Sequence, residues 1–455
     1  MSKVKNLTVN IIIIFLMIAL FLSCDNSGGN QDSLTVDNIS YSLTINITDG
    51  GGFTATVDGV ELTGSSPYTV QINKTVELTA FADANYTFLG WGGDVSGGED
   101  TKNVIMNGDK TVSLSFCQSE TIVDNSIADA QSSSTDIITD SNNKVHISYT
   151  DYSANSLKYT TNKSGTWVIS SIDITGKPDS TSIAVDSLDY IHISYNDRDN
   201  GILKYATNTS GEWVIASIDS GIGSYSFTSI AVDSLDKIHV SYYDSTNGDL
   251  KYATNETGLW VPIIIDSTYD VGQYASIGID SNNKIHICYF IETEDPDRVT
   301  ALKYATNASG SWVCTTIVEN TEHDIGERCS LAIDSNDYIH ISYNYAHGEY
   351  SSDLRHVTNL TGSWIETTID SSGGSYDTSI AIDNNGKIHI GYQYQFDGNP
   401  TVFKHATNVS GSWIYETIDP SDYSGRCPSL TVDNNNKIHM CCFDGTNGSL
   451  KYYVK

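Results

Sequence analysis

A histidine recurs along this chain at positions 146, 192, 239, 286, 340, 389 and 439, at spacings of 46, 47, 47, 54, 49 and 50 residues. No other feature limits the fold as sharply, because its surroundings repeat with it. In the third copy Ser229-Ile-Ala-Val-Asp233-Ser precedes Lys237-Ile-His239-Val-Ser-Tyr-Tyr-Asp244, and Leu250-Lys-Tyr-Ala-Thr-Asn255-Glu-Thr-Gly258-Leu-Trp260 follows. Each unit holds four short runs of alternating apolar and polar residues, lettered A to D, which read as strands. Turns such as Asp233-Ser-Leu-Asp-Lys237 and Asn247-Gly248 join them, since Asn, Asp and Gly tolerate the left-handed backbone of tight hairpins. Four strands per repeat at this period predict a β-propeller.

Seven copies of A, B and C are present, but only six D strands follow, introduced by Trp167, Trp213, Trp260, Trp312, Trp364 and Trp413. Ser119-Glu-Thr-Ile-Val-Asp124 matches Tyr415-Glu-Thr-Ile-Asp419 and supplies the seventh. The expectation for residues 118–455 is therefore a seven-bladed β-propeller with N-terminal strand closure, which pairs strands that would otherwise be open edges.

The chain begins with Lys3 and Lys5 and an apolar run from Ile11 to Leu22, too short to cross a bilayer comfortably as a helix. The run ends at Phe21-Leu22-Ser23-Cys24, which resembles a bacterial lipobox, with Phe21 where Leu is usual. That resemblance implies a lipoprotein signal peptide over 1–23 and a lipid on Cys24. Polar residues to 39 read as a flexible tether. Residues 40–117 form a separate β-rich unit. Its series Leu78-Thr-Ala, Tyr86-Thr-Phe-Leu-Gly-Trp91-Gly-Gly-Asp94 and Met106-Asn-Gly-Asp-Lys-Thr-Val112 resembles the divergent internalin-type B-repeat of bacterial surface proteins. The resemblance implies a spacer or adhesion module without catalysis, in which Trp91 belongs to the core.

Gly, Ser, Thr, Asn, Asp and Tyr dominate the composition. The net charge is −32, from 24 Lys and Arg against 56 Asp and Glu. Such a surface repels nucleic acid and anionic lipid, so contact with a membrane is expected through the lipid anchor only. Of eight cysteines, seven remain if Cys24 is lipidated. Cys288 and Cys441 each replace a serine of strand B and read as small buried residues rather than bridges. No spacing suggests a zinc site, and neither a metal nor a cofactor is expected.

Seven symmetric histidines cannot converge on one site, which argues for structure rather than catalysis. The repeat resembles tryptophan–aspartate propellers, where His, Ser/Thr, Asp and Trp form a hydrogen-bonded brace. That makes Asp233, Ser241 and Trp260 the expected partners of His239. The C–D turn Ala253-Thr-Asn255-Glu-Thr-Gly258-Leu-Trp260 resembles a degenerate Asp-box, the bacterial neuraminidase repeat, with Asn for Asp and Gly one place late. Asp-boxes are structural turns, so this implies fold rather than activity.

Function is expected where the copies differ. A–B and C–D turns are nearly uniform, while B–C and D–A loops vary, and variable loops on a rigid scaffold are where binding resides. The longest are 291–301, 319–328, 345–353 and 394–402. Four of the five arginines lie in variable loops, and the fifth, Arg355, replaces a strand-C lysine. In so acidic a chain the plainer reading is that each arginine pairs with a neighbouring Asp or Glu; the other is that its planar fork holds a ligand's carboxylate, sulfate or phosphate. The expected ligand-binding set is Arg298, Arg328, Arg426, Tyr345, Tyr350 and Tyr394, with no catalytic residue assigned. The reading is an exported, surface-displayed binding or adhesion lipoprotein whose partner is a glycan or a protein. Its rival is a sialidase-like hydrolase or polysaccharide lyase on the same face, for which Arg298, Arg328, Arg426, Tyr350 and Glu322 are candidates. Sialidase propellers have six blades, whereas seven are counted here.

Overall fold

A computed structural model of the chain describes residues 39–47, 51–83, 86–118, 120–127, 134–293, 298–348, 351–396 and 398–455. The signal segment, Cys24 and the tether to residue 38 lie outside these. Among the described residues all 36 regular elements are β-strands, and no helix is long and apolar enough to cross a membrane.

The first unit comprises β1 (Ser40–Ile47), β2 (Gly51–Val57), β3 (Val60–Glu61), β4 (Tyr68–Gln71), β5 (Thr75–Ala82), β6 (Tyr86–Gly93), β7 (Thr101–Ile105) and β8 (Lys110–Gln118). They form two four-stranded sheets, ordered β4-β1-β8-β6 and β3-β2-β5-β7. The alternation seen in sequence points Leu43, Val76, Leu78, Val112 and Leu114 into a shared core. Trp91 is buried there, and its Nε1 donates to the Glu99 carbonyl at 2.6 Å. It is a core residue, as its position in the motif implied.

From residue 121 onward the chain builds seven successive four-stranded antiparallel sheets. Sheets 1 to 6 span 135–173, 178–220, 228–266, 270–320, 325–370 and 374–419. Sheet 7 contains Arg426–Val432, Ile438–Asp444 and Ser449–Val454, and its outer strand is β9, Thr121–Asp124. The register pairs Leu450 with Asp124 and Tyr452 with Thr121. Strand B of most sheets is buried along its whole length, as in Val145–Asp151, because neighbouring sheets cover both faces.

Repeated polar links join consecutive sheets. A strand-A serine accepts a backbone N–H from the next sheet: Ser182 from Ile230, Ser229 from Ile277, Ser276 from Leu331, Ser330 from Ile380, Ser379 from Leu430 and Ser429 from Ile137, at 3.1–3.3 Å. In sheet 1 Asp136 takes the serine's place and accepts from Ile183 at 2.9 Å. The link through Ser429 joins sheet 7 to sheet 1.

The histidine brace differs from the expected one. His239 Nδ1 bonds the Tyr252 hydroxyl at 2.5 Å, and Nε2 stands 3.4 Å from Asp233. Ser241 Oγ has no hydrogen-bond partner among the described residues, and Trp260 packs edge-on against Tyr205 of the preceding sheet. Tyrosine fills the strand-C position in five copies, and His356 and His405 fill it for His340 and His389. Burial holds these imidazoles below their usual pKa, with the aspartate pulling the other way.

Candidate functional site

A second link recurs between sheets, and the one seam where its aspartate is missing borders the candidate site. In five seams the last aspartate of strand D in one sheet accepts from a strand-B tyrosine and a strand-C lysine of the next; between sheets 6 and 7, where Cys442 holds the strand-B place, Asp419 accepts from Tyr453 and Lys451 of strand C. Asp173 takes the Tyr195 hydroxyl at 2.7 Å and Lys204 at 3.1 Å. Asp124 of β9 takes Tyr149 at 2.7 Å and Lys158 at 3.1 Å in sheet 1. Burial pushes the Asp124 carboxyl up, but the Ser126, Tyr149 and Lys158 bonds outweigh it and hold it low. Between sheets 4 and 5 the aspartate is missing: Val318 pairs with Leu302 where Asp266 pairs with Leu250. Arg355 then replaces the lysine and turns to Asp353 at 2.9 Å and Glu366 at 2.6 Å, within its own sheet.

At this break the loops separate around a cavity of about 450 Å³. It is lined by Arg298 from the B–C loop of sheet 4, by Glu322, His323 and Asp324 from the D–A connection, and by Glu327, Arg328, Asn344, Ala346, His347, Ser351 and Ser352 from sheet 5. Tyr376 of sheet 6 completes the wall. Three of the four variable loops singled out in the sequence meet here.

Arg298 Nε bonds Glu292 at 2.6 Å, and its Nη2 reaches Asp324. Arg328 has φ of 54°, an unusual left-handed backbone for a non-glycine residue, which aims its guanidinium at Asp377. The Asp377 charge raises the Arg328 pKa further, so the group is cationic at any working pH. Glu327 is half-buried, and burial raises its carboxyl above the usual range while Arg328 opposes. His323, Tyr345 and His347 form a cluster of rings, with centroids 5.1–6.0 Å apart. His347 Nε2 lies 2.8 Å from Asp353, Asn320 donates to the Tyr345 hydroxyl at 2.9 Å, and the Arg355 guanidinium lies 3.6 Å over the Tyr345 ring.

Arg328 also lines a second cavity of about 230 Å³, to which all seven sheets contribute, among them Ser134, Ser180, Phe227, Tyr274, Cys329, Asp377 and Cys427. Its guanidinium stands 5.3 Å from the Tyr274 ring centre, and the residue borders both spaces.

The expected ligand set is thus split. Arg298 and Arg328 share one cavity, and Tyr345 stands beside it. Arg426 lines neither cavity; its Nε is buried without a hydrogen-bond partner among the described residues, close to Gly445. Tyr394 is 8% exposed, with Lys404 3.2 Å over its ring and its hydroxyl 3.1 Å from Ser372 Oγ, so that ring has no free face for a ligand. Tyr350 lies outside the described residues. Sequence reasoning missed His323, Glu327, Tyr376 and Asp377. Val318 in place of a repeated aspartate was the available signal.

Residues 41–120 match the family model of the divergent InlB B-repeat domain. No curated protein matches the chain in sequence. Among solved structures, a polysaccharide lyase, the ulvan lyase of family PL25 bound to -[GlcA(1-4)Rha3S]-, is similar with a TM-score of 0.51 at 14% identity, covering 74% of this chain and 94% of that one. This likeness shows the fold, a β-propeller. The SapL1 lectin in complex with alpha methyl fucoside is similar at a TM-score of 0.45 and 11% identity, covering 66% of this chain and 100% of the lectin. The Hadza microbial sialidase Hz136 is similar at 0.43 and 10%, covering 83% and 73%.

Proposed function

We propose that this chain is an exported, lipid-anchored surface protein. In this reading the B-repeat unit at 40–117 lifts a seven-bladed β-propeller, residues 118–455 closed by β9, away from the membrane. The propeller binds an extracellular glycan in the cavity between sheets 4 and 5. The observation that carries the reading is the convergence of Arg298 and Arg328 on one polar cavity of about 450 Å³, large enough for sugar units. Both arginines already hold carboxylates, so a uronate or sulfate on the glycan would exchange for Asp377 or Asp324 at the same guanidinium. The acids Glu322, Asp324 and Glu327 suit sugar hydroxyls as acceptors. The fold likeness to the ulvan lyase, which is described with a uronate-containing glycan, supports an acidic polysaccharide as the ligand class.

A second reading, a polysaccharide lyase or sialidase-like hydrolase, is favoured by one arrangement. His323, Tyr345 and His347 cluster beside the two arginines, and burial raises the Glu327 carboxyl above its usual range. A lyase needs a base for the proton beside a sugar carboxylate and a cation to stabilise the developing charge. Probing an array of uronate, sulfated and neutral glycans, with hits assayed for unsaturated product and for reducing ends, tests both. Retention without product supports binding, either product supports the enzyme, and no retention of any glycan removes both.

A further inference from the structure

A third inter-sheet link points to a covalent modification. In several seams a strand-A threonine of one sheet bonds the strand-B serine of the sheet before it. Thr181 donates to Ser148, Thr228 donates to Ser194, and Thr378 pairs with Ser342, each at 2.9 Å. Thr135 pairs with Cys441 at 3.3 Å, where only the serine is replaced. Between sheets 4 and 5 both members are replaced: Cys288 stands at the serine's place and Cys329 at the threonine's, with their sulfurs 3.1 Å apart. This is the same seam from which the strand-D aspartate is missing.

We propose that Cys288 and Cys329 form a disulfide tying sheet 4 to sheet 5 at the edge of the 230 Å³ cavity. A disulfide needs the sulfurs at about 2.05 Å, so the two side chains have about one ångström left to close. A hydroxyl pair in this position would have contributed a hydrogen bond. A thiol pair contributes a weak one, but supplies a bond that spans the seam once oxidised. Cys288 is fully enclosed, while Cys329 borders the 230 Å³ cavity and directly follows Arg328. The oxidant is a disulfide, either a small molecule or one borne by an oxidoreductase. The Cys329 thiolate attacks it and releases one thiol. The Cys288 thiol loses its proton, attacks the mixed disulfide and releases the second. Two protein thiols become one protein disulfide, and one external disulfide becomes two thiols. An exported chain folds where such an oxidant is available. The bond fixes the strand carrying Arg328, and it does not depend on what the cavity binds.

The test is peptide mapping of the full chain, refolded in oxidised glutathione, with free thiols alkylated in denaturant before digestion without reductant. The expected result is a linked peptide containing Cys288 and Cys329, lighter by two hydrogens than the separate peptides. Melting is compared with and without dithiothreitol for the parent and for Cys288→Ser combined with Cys329→Thr, which restores the repeat's own hydroxyl pair. The parent should lose several degrees on reduction, and the double variant should not respond. Alkylated Cys288 and Cys329 in the oxidised sample, or equal sensitivity to reductant in both proteins, would overturn the proposal.

Discussion

At the scale of single residues, the repeated histidine works by being buried next to two partners. His239 is 1% exposed and sits between the Tyr252 hydroxyl and Asp233. His239→Ala leaves Tyr252 without its bond and Asp233 without its neighbour in a dry site. The expected loss is about 1–3 kcal/mol by denaturant unfolding, with glycan retention unchanged in the folded fraction. Lost binding at full stability would move the histidine from scaffold to site. The histidine and Asp233 were legible because they recur at fixed spacing. Tyr252 was not singled out, and Trp260 was paired with the wrong histidine. The reason is physical: Tyr252 meets His239 across a strand pair, whereas Trp260 leaves its own sheet to reach Tyr205. Periodicity reports which face a side chain takes and says nothing about the neighbouring sheet it meets.

At the scale of elements, β9 is the strand that carries the most consequence for its length. Its four residues complete sheet 7, and Asp124 at its end holds Tyr149 and Lys158 of sheet 1. Deleting 119–124 removes those pairings, exposes an edge, and leaves Lys158 with Asp151 alone of its two carboxylates. Melting should fall by many degrees, since sheet 7 loses the pairing of a whole strand and Tyr149 and Lys158 lose the carboxylate they share. Deleting 40–116 should leave the propeller's transition in place. Equal melting of both shortened chains and the parent would contradict the role given to β9. This strand was readable because its sequence repeats that of Tyr415–Asp419. The cavity was less so: its loops were identified by their irregularity, but irregular loops carry no period from which to read which side chains meet. Tyr394 shows the consequence. It sits in a variable stretch, yet its ring lies under Lys404.

At the scale of the whole molecule, nine imidazoles are held below their ordinary pKa by burial, His356 to about 3 and His389 to about 4. When pH falls through about 6.5, the unfolded chain takes up protons that the folded chain refuses, so stability falls with pH. Asp136, Asp179, Asp249 and Glu327, raised by burial, act in the opposite sense but are fewer. The melting temperature should therefore drop steadily from pH 7.5 to pH 5, before the low-pKa aspartates begin to titrate. A flat profile over that range would mean the histidines are solvated.

The proposed ligand is a glycan held across the seam between sheets 4 and 5, with Arg328 at its centre. The direct measurement is the affinity of the best-retained acidic glycan for the parent, for Arg328→Ala and for Lys237→Ala, which lies in an A–B turn. Losing a charge-assisted hydrogen bond costs about 1.5–3 kcal/mol, so Arg328→Ala should bind about ten- to a hundredfold more weakly. Lys237→Ala should bind like the parent. Equal affinity for all three proteins would contradict the account.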